Sequence, residues 1–236
     1  MLNMKALSVG DLGTCCYIVW DDVSDCCVVI DPGAEPERVR SACEGRRIAA
    51  ILLTHGHFDH IGGVAELAKD GAEIVIHAAD APMLRDAALN ASWLVGDHVI
   101  APAATTTVSE GETITFAGVP MTVLHTPGHT PGCVCYQTGD WLFTGDTLFH
   151  YGYGRTDLPG GSMSQLAASL RRLQPLAQKY DIFPGHWPLQ SAALTAPPRE
   201  EPCVSKKWLW PLFRGGEGIP LLRKRAFFTV GQGRRP

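Results

Sequence analysis

The chain has 236 residues and a mass of 25.5 kDa, with 45% of its residues apolar, 19% charged and a mean hydropathy of +0.02. That length holds one large domain, or one domain with an appendage, and that apolar content excludes a disordered chain. A formal charge of −4 and a pI near 6.1 exclude the basic balance of a dedicated nucleic-acid binder, and no apolar run reaches the ~18 residues of a membrane span.

The first ten residues lack the apolar stretch and small-residue cleavage site of a secretory signal, so a cytoplasmic location is expected. Short β-type runs follow at 15–20, 26–30, 49–53 and 73–77, with helical patterns at 62–69 and 81–94. The run Ile48-Ala49-Ala50-Ile51-Leu52-Leu53 has no polar alternation and reads as a strand buried on both faces. A hairpin is expected from 113–116 and 121–124 around Ala117-Gly118-Val119-Pro120, then strands at 133–137 and 141–144. An amphipathic helix over 164–176 carries Leu166, Leu170 and Leu173 on one face and turns Arg171 and Arg172 to solvent; a last strand ends at Phe183. This order suggests two sheets packed face to face and covered outside by helices.

Eight cysteines are present, but none forms a zinc-type C-x-x-C pair. In runs such as Cys15-Cys16-Tyr17-Ile18-Val19-Trp20 they read as small buried hydrophobes of a reducing compartment. The C-terminal end differs in kind: 7 of the 17 prolines lie in residues 187–236, and from Arg199 onward there are nine basic residues against three acidic. The organisation expected is therefore a catalytic domain over 1–190 and a proline-rich, basic tail over 191–236. Three readings of the tail stay open: a docked extended segment, an arm for a partner or anionic surface, and an aberrant C-terminus from a frame change.

The chemistry concentrates in Thr54-His55-Gly56-His57-Phe58-Asp59-His60. At this chain's frequencies of His and Asp, H-x-H-x-D-H arises by chance about once in 10³ such sequences. Imidazole and carboxylate suit zinc and its first-row neighbours, and histidines two apart in extended backbone point the same way. Three more ligand-type residues follow expected strands and a glycine: His129, Asp146 and His186. Glycine allows the tight turns that aim such side chains back over the strand ends.

These seven residues, in order and rough spacing, resemble the metallo-β-lactamase-fold hydrolases across residues 1–186. The resemblance implies an α/β, four-layer αββα sandwich of two mixed β-sheets covered by helices. It also implies a two-metal site: His55, His57 and His129 on one ion, Asp59, His60 and His186 on the other, Asp146 between them, and Asp59 as the catalytic residue. Seven ligand groups exceed what one tetrahedral zinc takes. Two divalent ions are expected, zinc first, with iron or manganese as alternatives.

Gly145-Asp146-Thr147-Leu148-Phe149 with Gly154-Arg155-Thr156-Asp157-Leu158-Pro159-Gly160-Gly161 is similar to the glyoxalase II-like branch, which cleaves acyl-thiols such as S-lactoylglutathione by attack of a metal-bridging hydroxide. A small-molecule acyl-thiol is thus the expected substrate, with no nucleic-acid partner and no membrane span. Arg155 has two readings, orienting an anionic substrate or bracing the loop through Asp157. Alternatives are an iron-dependent persulfide dioxygenase, which shares the Gly-Arg-Thr-Asp segment, and a partner-binding protein that works through its basic tail. A metallo-nuclease ranks lower because the catalytic part is acidic, and antibiotic hydrolysis ranks lower because a secretory signal is missing. His77, His98, His125 and His150 read as structural, with His125 nearest to a supporting role beside His129. Trp93 and Tyr151 read as core aromatics or cleft lining.

Overall fold

In the computed structural model residues 1–186 are described; residues 187–236, and with them the expected tail at 191–236 and Cys203, lie outside the described residues. Six strands form the first sheet in chain order: β1 (Leu2–Val9), β2 (Thr14–Asp21), β3 (Cys26–Ile30), β4 (Arg47–Leu52), β5 (Glu73–His77) and β6 (Thr106–Val108). The first three pair antiparallel and β3 to β6 pair parallel. The second sheet has the order β11-β10-β9-β8-β7, from β7 (Thr113–Phe116), β8 (Val119–His125), β9 (Val134–Thr138), β10 (Trp141–Gly145) and β11 (Asp181–Pro184). Only β10 and β11 are parallel there.

Side-chain alternation assigns the layers. Cys15, Tyr17 and Val19 of β2 face the second sheet, where Val123, Tyr136, Phe143 and Phe183 meet them. Cys16 and Ile18 face the other way, onto α1 (Pro36–Ala42), α2 (Phe58–Ile61) and α3 (Val64–Leu67) through Val39, Ile61, Val64 and Leu67. Strand β4 is buried on both faces as its composition requires: Ala50 and Leu52 point between the sheets, while Ile51 and Leu53 point to the helices. On the outer face of the second sheet, α4 (Met163–Lys179) packs Leu173 against Cys135, Leu142 and Ile182. The four layers of the αββα sandwich are therefore all present.

The hairpin turn is tighter than the sequence suggests. Ala117 and Gly118 alone connect the strands, at φ of 52° and 77°, and Pro120 lies inside β8 opposite Thr115. Two positive φ values in a two-residue loop match the twist of the flanking strands. The helix expected over 81–94 does not form; two 3-10 turns, Ala81–Arg85 and Ser92–Val95, stand in its place. Local side chains take the backbone groups a helix would use. Asp86 accepts from the amides of Ala88 and Leu89, and Asn90 donates to the carbonyls of Met83 and Val99 while accepting from the Ser92 amide. None of the seven described cysteines is in a disulfide, and six of them are buried. Among the described residues no helix is long and apolar enough to cross a membrane.

At one end of the sandwich the sheets bond directly. Val134 donates to the carbonyl of Thr54 at 2.8 Å, Cys15 to that of Gly185 at 2.7 Å, Tyr17 Oη to that of Pro184 at 2.6 Å and Tyr136 Oη to that of Leu53 at 3.0 Å. This is the end at which the parallel strands β3, β4 and β5 and the parallel pair β10 and β11 all finish. Tyr136→Phe is expected to cost about 1–3 kcal/mol, because it leaves the buried Leu53 carbonyl without its donor; urea unfolding of the two proteins measures it.

Candidate metal centre

Five of the seven ligand-type residues lie just beyond the carboxyl end of a strand, and Asp59 and His60 lie in the helix α2 that follows β4. His55 and His57 follow β4, His129 lies in the loop between β8 and β9, Asp146 follows β10 and His186 follows β11. Asp59 and His60 sit one turn deeper than the sequence suggests, since the helix begins at Phe58 and not at Gly62. The early start follows from packing against loop 31–34: a Cβ on Gly33 would stand 1.6 Å from the Asp59 carbonyl oxygen, and Gly63 donates to the carbonyl of Pro32 at 2.7 Å. A helix running this close presents Asp59 and His60 directly beside the His55–His57 segment.

Three groups of potential ligand atoms result, each within 4.8 Å internally: His55 with His57 and His129, His55 with His60 and Asp146, and Asp59 with His60 and His186. His57 Nδ1 and His129 Nε2 are 2.8 Å apart, and the Nε2 atoms of His60 and His186 are 3.3 Å apart. Asp146 lies between the groups, with Oδ1 3.5 Å from His60 and Oδ2 3.5 Å from both His129 and His186. All seven side chains therefore converge on one small volume.

Two outward ring nitrogens meet backbone carbonyls, and a third lies beside a carboxylate. His129 Nδ1 is 2.7 Å from the Arg155 carbonyl, His186 Nδ1 is 3.1 Å from the Leu12 carbonyl, and His60 Nδ1 is 3.1 Å from Asp31 Oδ2. The carbonyl partners fix the His129 and His186 rings and leave their inward nitrogens free. Asp31 in turn accepts from the amide and hydroxyl of Thr54 at 2.8 and 2.7 Å.

Buried polar atoms test whether this chain fits a metal. At the centre His55 Nε2, His57 Nε2, His60 Nδ1 and Asp146 Oδ1 are shielded from solvent and have no hydrogen-bond partner. Burial, then the neighbouring His60 and His129, pushes His55 well below its ordinary value; burial and His129 bring His57 down to about 3. Both rings are neutral at pH 7, the form a metal requires. Burial opposes charge on His60 too, yet Asp59, Asp31 and Asp146 outweigh it and shift that imidazole upward, which marks a place where the surrounding carboxylates favour positive charge. Burial likewise works to raise Asp146, but His60, His186 and His129 keep it well below the usual carboxylate range. A cation is thus stabilised amid three carboxylates, and the donor set fits divalent ions.

A family model described as the Metallo-beta-lactamase superfamily matches residues 9–186. The chain belongs to that superfamily. Within it, the chain is 33% identical over 194 residues to the probable metallo-hydrolase YqgX of Bacillus subtilis, covering 79% of this chain and 91% of the relative. It is 32% identical over 200 residues to the hydroxyacylglutathione hydrolase GloC of Haemophilus influenzae, covering 78% and 91%. Against a hydroxyacylglutathione hydrolase of Yersinia pestis it is 34% identical over 161 residues, 68% of this chain and 57% of that protein. Among solved structures, the B3 metallo-beta-lactamase BLEG-1 superposes with a TM-score of 0.73 at 33% identity, covering 79% and 92% of the two chains. TTHA1623 in a di-iron-bound form gives 0.70 at 36% identity, covering 78% and 92%. ETHE1 from Myxococcus xanthus gives 0.67 at 28% identity, covering 80% and 77%. The chain is a metallo-hydrolase-fold enzyme with a His/Asp centre suited to divalent metals.

Other residues fall into place around the centre. The Arg155 side chain forms a two-pronged bond with Asp157 at 2.7 and 2.8 Å, and its carbonyl lies 2.7 Å from His129 Nδ1. His125 Nε2 lies 2.9 Å from the carbonyl of Pro131, and its ring stacks on His77 at 4.1 Å; it supports the 126–132 loop from outside. Trp93 and Tyr151 are 54% and 68% exposed, which rules out core packing for both. Sequence reasoning missed Asp31 and Asp80. Asp31 could have been found from the same strand-then-turn pattern as the ligands, in Ile30-Asp31-Pro32-Gly33.

Proposed function

We propose that this chain hydrolyses a thioester, an acyl-thiol of the S-lactoylglutathione kind, at a centre of two divalent ions. His55, His57 and His129 would hold one ion, Asp59, His60 and His186 the other, and Asp146 would touch both. The observation that carries the reading is the position of Asp146, within 3.5 Å of ring nitrogens from both triads. Ions bound there supply a nucleophile from water at neutral pH and Lewis acidity toward a carbonyl oxygen and a departing thiolate. The protein's share is orientation and charge. Burial keeps His55 and His57 neutral, backbone carbonyls fix His129 and His186, and Asp59 and Asp146 supply the negative charge that a pair of dications needs.

The hydroxyacylglutathione hydrolases among the relatives support the substrate class, and the buried described cysteines, none in a disulfide, support a reducing compartment such as the cytoplasm. Zinc is our first choice of metal; the di-iron form of TTHA1623 makes iron the second to test. An iron-dependent persulfide dioxygenase is the other reading that a neighbour suggests, through ETHE1. The complete Asp59–His60–His186 triad favours two ions and hydrolysis.

Thiol release from S-lactoylglutathione by protein loaded in parallel with zinc, iron or manganese tests the proposal. Metal-dependent release is expected, and its loss in Asp59→Ala. Iron-dependent oxygen uptake with glutathione persulfide, without thiol release under any metal, would replace this reading with the dioxygenase.

A further inference from the structure

The ligand assignment gives no task to Asp80, a carboxylate with 0% exposure just beyond β5. Three donors converge on it. Oδ1 accepts from the Gly132 amide at 2.6 Å, and Oδ2 accepts from the Thr130 hydroxyl at 2.6 Å and the Gly56 amide at 3.2 Å. Gly56 stands between His55 and His57, and Thr130 directly follows His129. One buried side chain therefore fastens the two loops that bring His57 Nδ1 and His129 Nε2 to 2.8 Å from each other.

We propose that Asp80 is a positioning residue that clamps the His55–His57 loop to the His129 loop and sets the metal affinity of that triad alone. Only an ionised carboxylate is acceptor at both atoms, so it alone satisfies three inward-pointing donors at once. An amide of the same shape turns an N–H toward the Gly56 N–H and pushes the loops apart. The other triad has separate support, from Asp31 at His60 and the Leu12 carbonyl at His186, and Asp80 makes no bond to either. Of the two buried aspartates, Asp31 stands beside His60 and holds Thr54 next to His55, whereas the Asp80 carboxylate bonds only the His55–His57 and His129 loops.

This inference rests on the ligand assignment proposed above, and the test separates the two. Zinc affinity of the full chain is read by competition with a chromophoric chelator in two backgrounds. With His186→Ala, which leaves the His55–His57–His129 triad, Asp80→Asn is expected to weaken binding about 10- to 100-fold, the range seen when partners that orient metal ligands are lost. With His129→Ala, which leaves the other triad, the same change is expected to shift affinity less than about threefold, because Asp80 makes no hydrogen bond to Asp59, His60 or His186. Thr130→Val, which removes one of the three bonds at constant shape, is expected to move the first background in the same direction even if Asp80→Asn folds poorly, and Thr130→Ser to restore it. Equal losses in both backgrounds would reduce Asp80 to a general structural brace and overturn the inference. No loss in the His186→Ala background would overturn it as well. Failure of the unmodified chain to bind zinc would bring down the ligand assignment itself, and the inference with it.

Discussion

Asp146→Ala is expected to lower thiol release on the order of 10³-fold and to leave fewer than two ions on the protein after dialysis. The side chain is almost completely buried, and its two oxygens face His60 on one side and His129 and His186 on the other. No other carboxylate among the described residues touches both triads. On the proposed two-ion assignment, removing it would take away a ligand from each ion and the negative charge that would offset their mutual repulsion, a strong effect where burial weakens screening. Asp146→Asn separates charge from shape. If charge is what matters, the amide variant behaves like alanine in metal content and rate while its circular dichroism spectrum stays that of the unmodified chain. Metal stoichiometry and single-turnover rates of the two variants check this, and a rate within tenfold of the unmodified protein in either variant would remove Asp146 from the centre.

The parts of this molecule that were legible in the sequence are those in which one residue type repeats at short range. H-x-H-x-D-H is compact enough to stand above chance, and a strand such as β4, apolar without alternation, can only be buried on both sides. His129, Asp146 and His186 were visible because each follows a glycine after an apolar run. Asp80 had no such signature. Its carboxylate makes no cap bond to the turn that follows it and reaches instead to Gly56, Thr130 and Gly132, up to 52 residues away in sequence. The segment at 81–94 misled for a related reason, since its apolar spacing fits a helix while Asp86 and Asn90 capture the backbone for turns. Strand β1, strand β6 and helix α1 carry too little pattern to be seen alone; β1 exists because β2 offers it eight register partners. Long-range pairing and buried polar bonds decide these places, and neither is written in local periodicity.

Gly185→Ala is expected to reduce hydrolysis on the order of 10²-fold with the fold intact, the loss that follows from moving a reacting group by about 1 Å. A Cβ at 185 would stand 2.2 Å from Asp146 Oδ1 and 2.9 Å from both the Gly145 carbonyl carbon and His60 Cε1. The backbone cannot withdraw, because the Gly185 amide donates to the Gly145 carbonyl at 2.8 Å and the Gly185 carbonyl accepts from Cys15 at 2.7 Å, one bond within its own sheet and one across to the other. Asp146 is then the group that must move, away from the position from which it reaches both triads. Strand β11 ends at Pro184 and keeps its pairing with β10, so the unfolding midpoint should change far less than the rate. Measuring both on the same preparation makes the outcome decisive. A large loss of rate with a nearly unchanged midpoint places the damage in the metal centre, whereas parallel losses would mean that residue 185 matters to the junction between the sheets and not to the placement of Asp146.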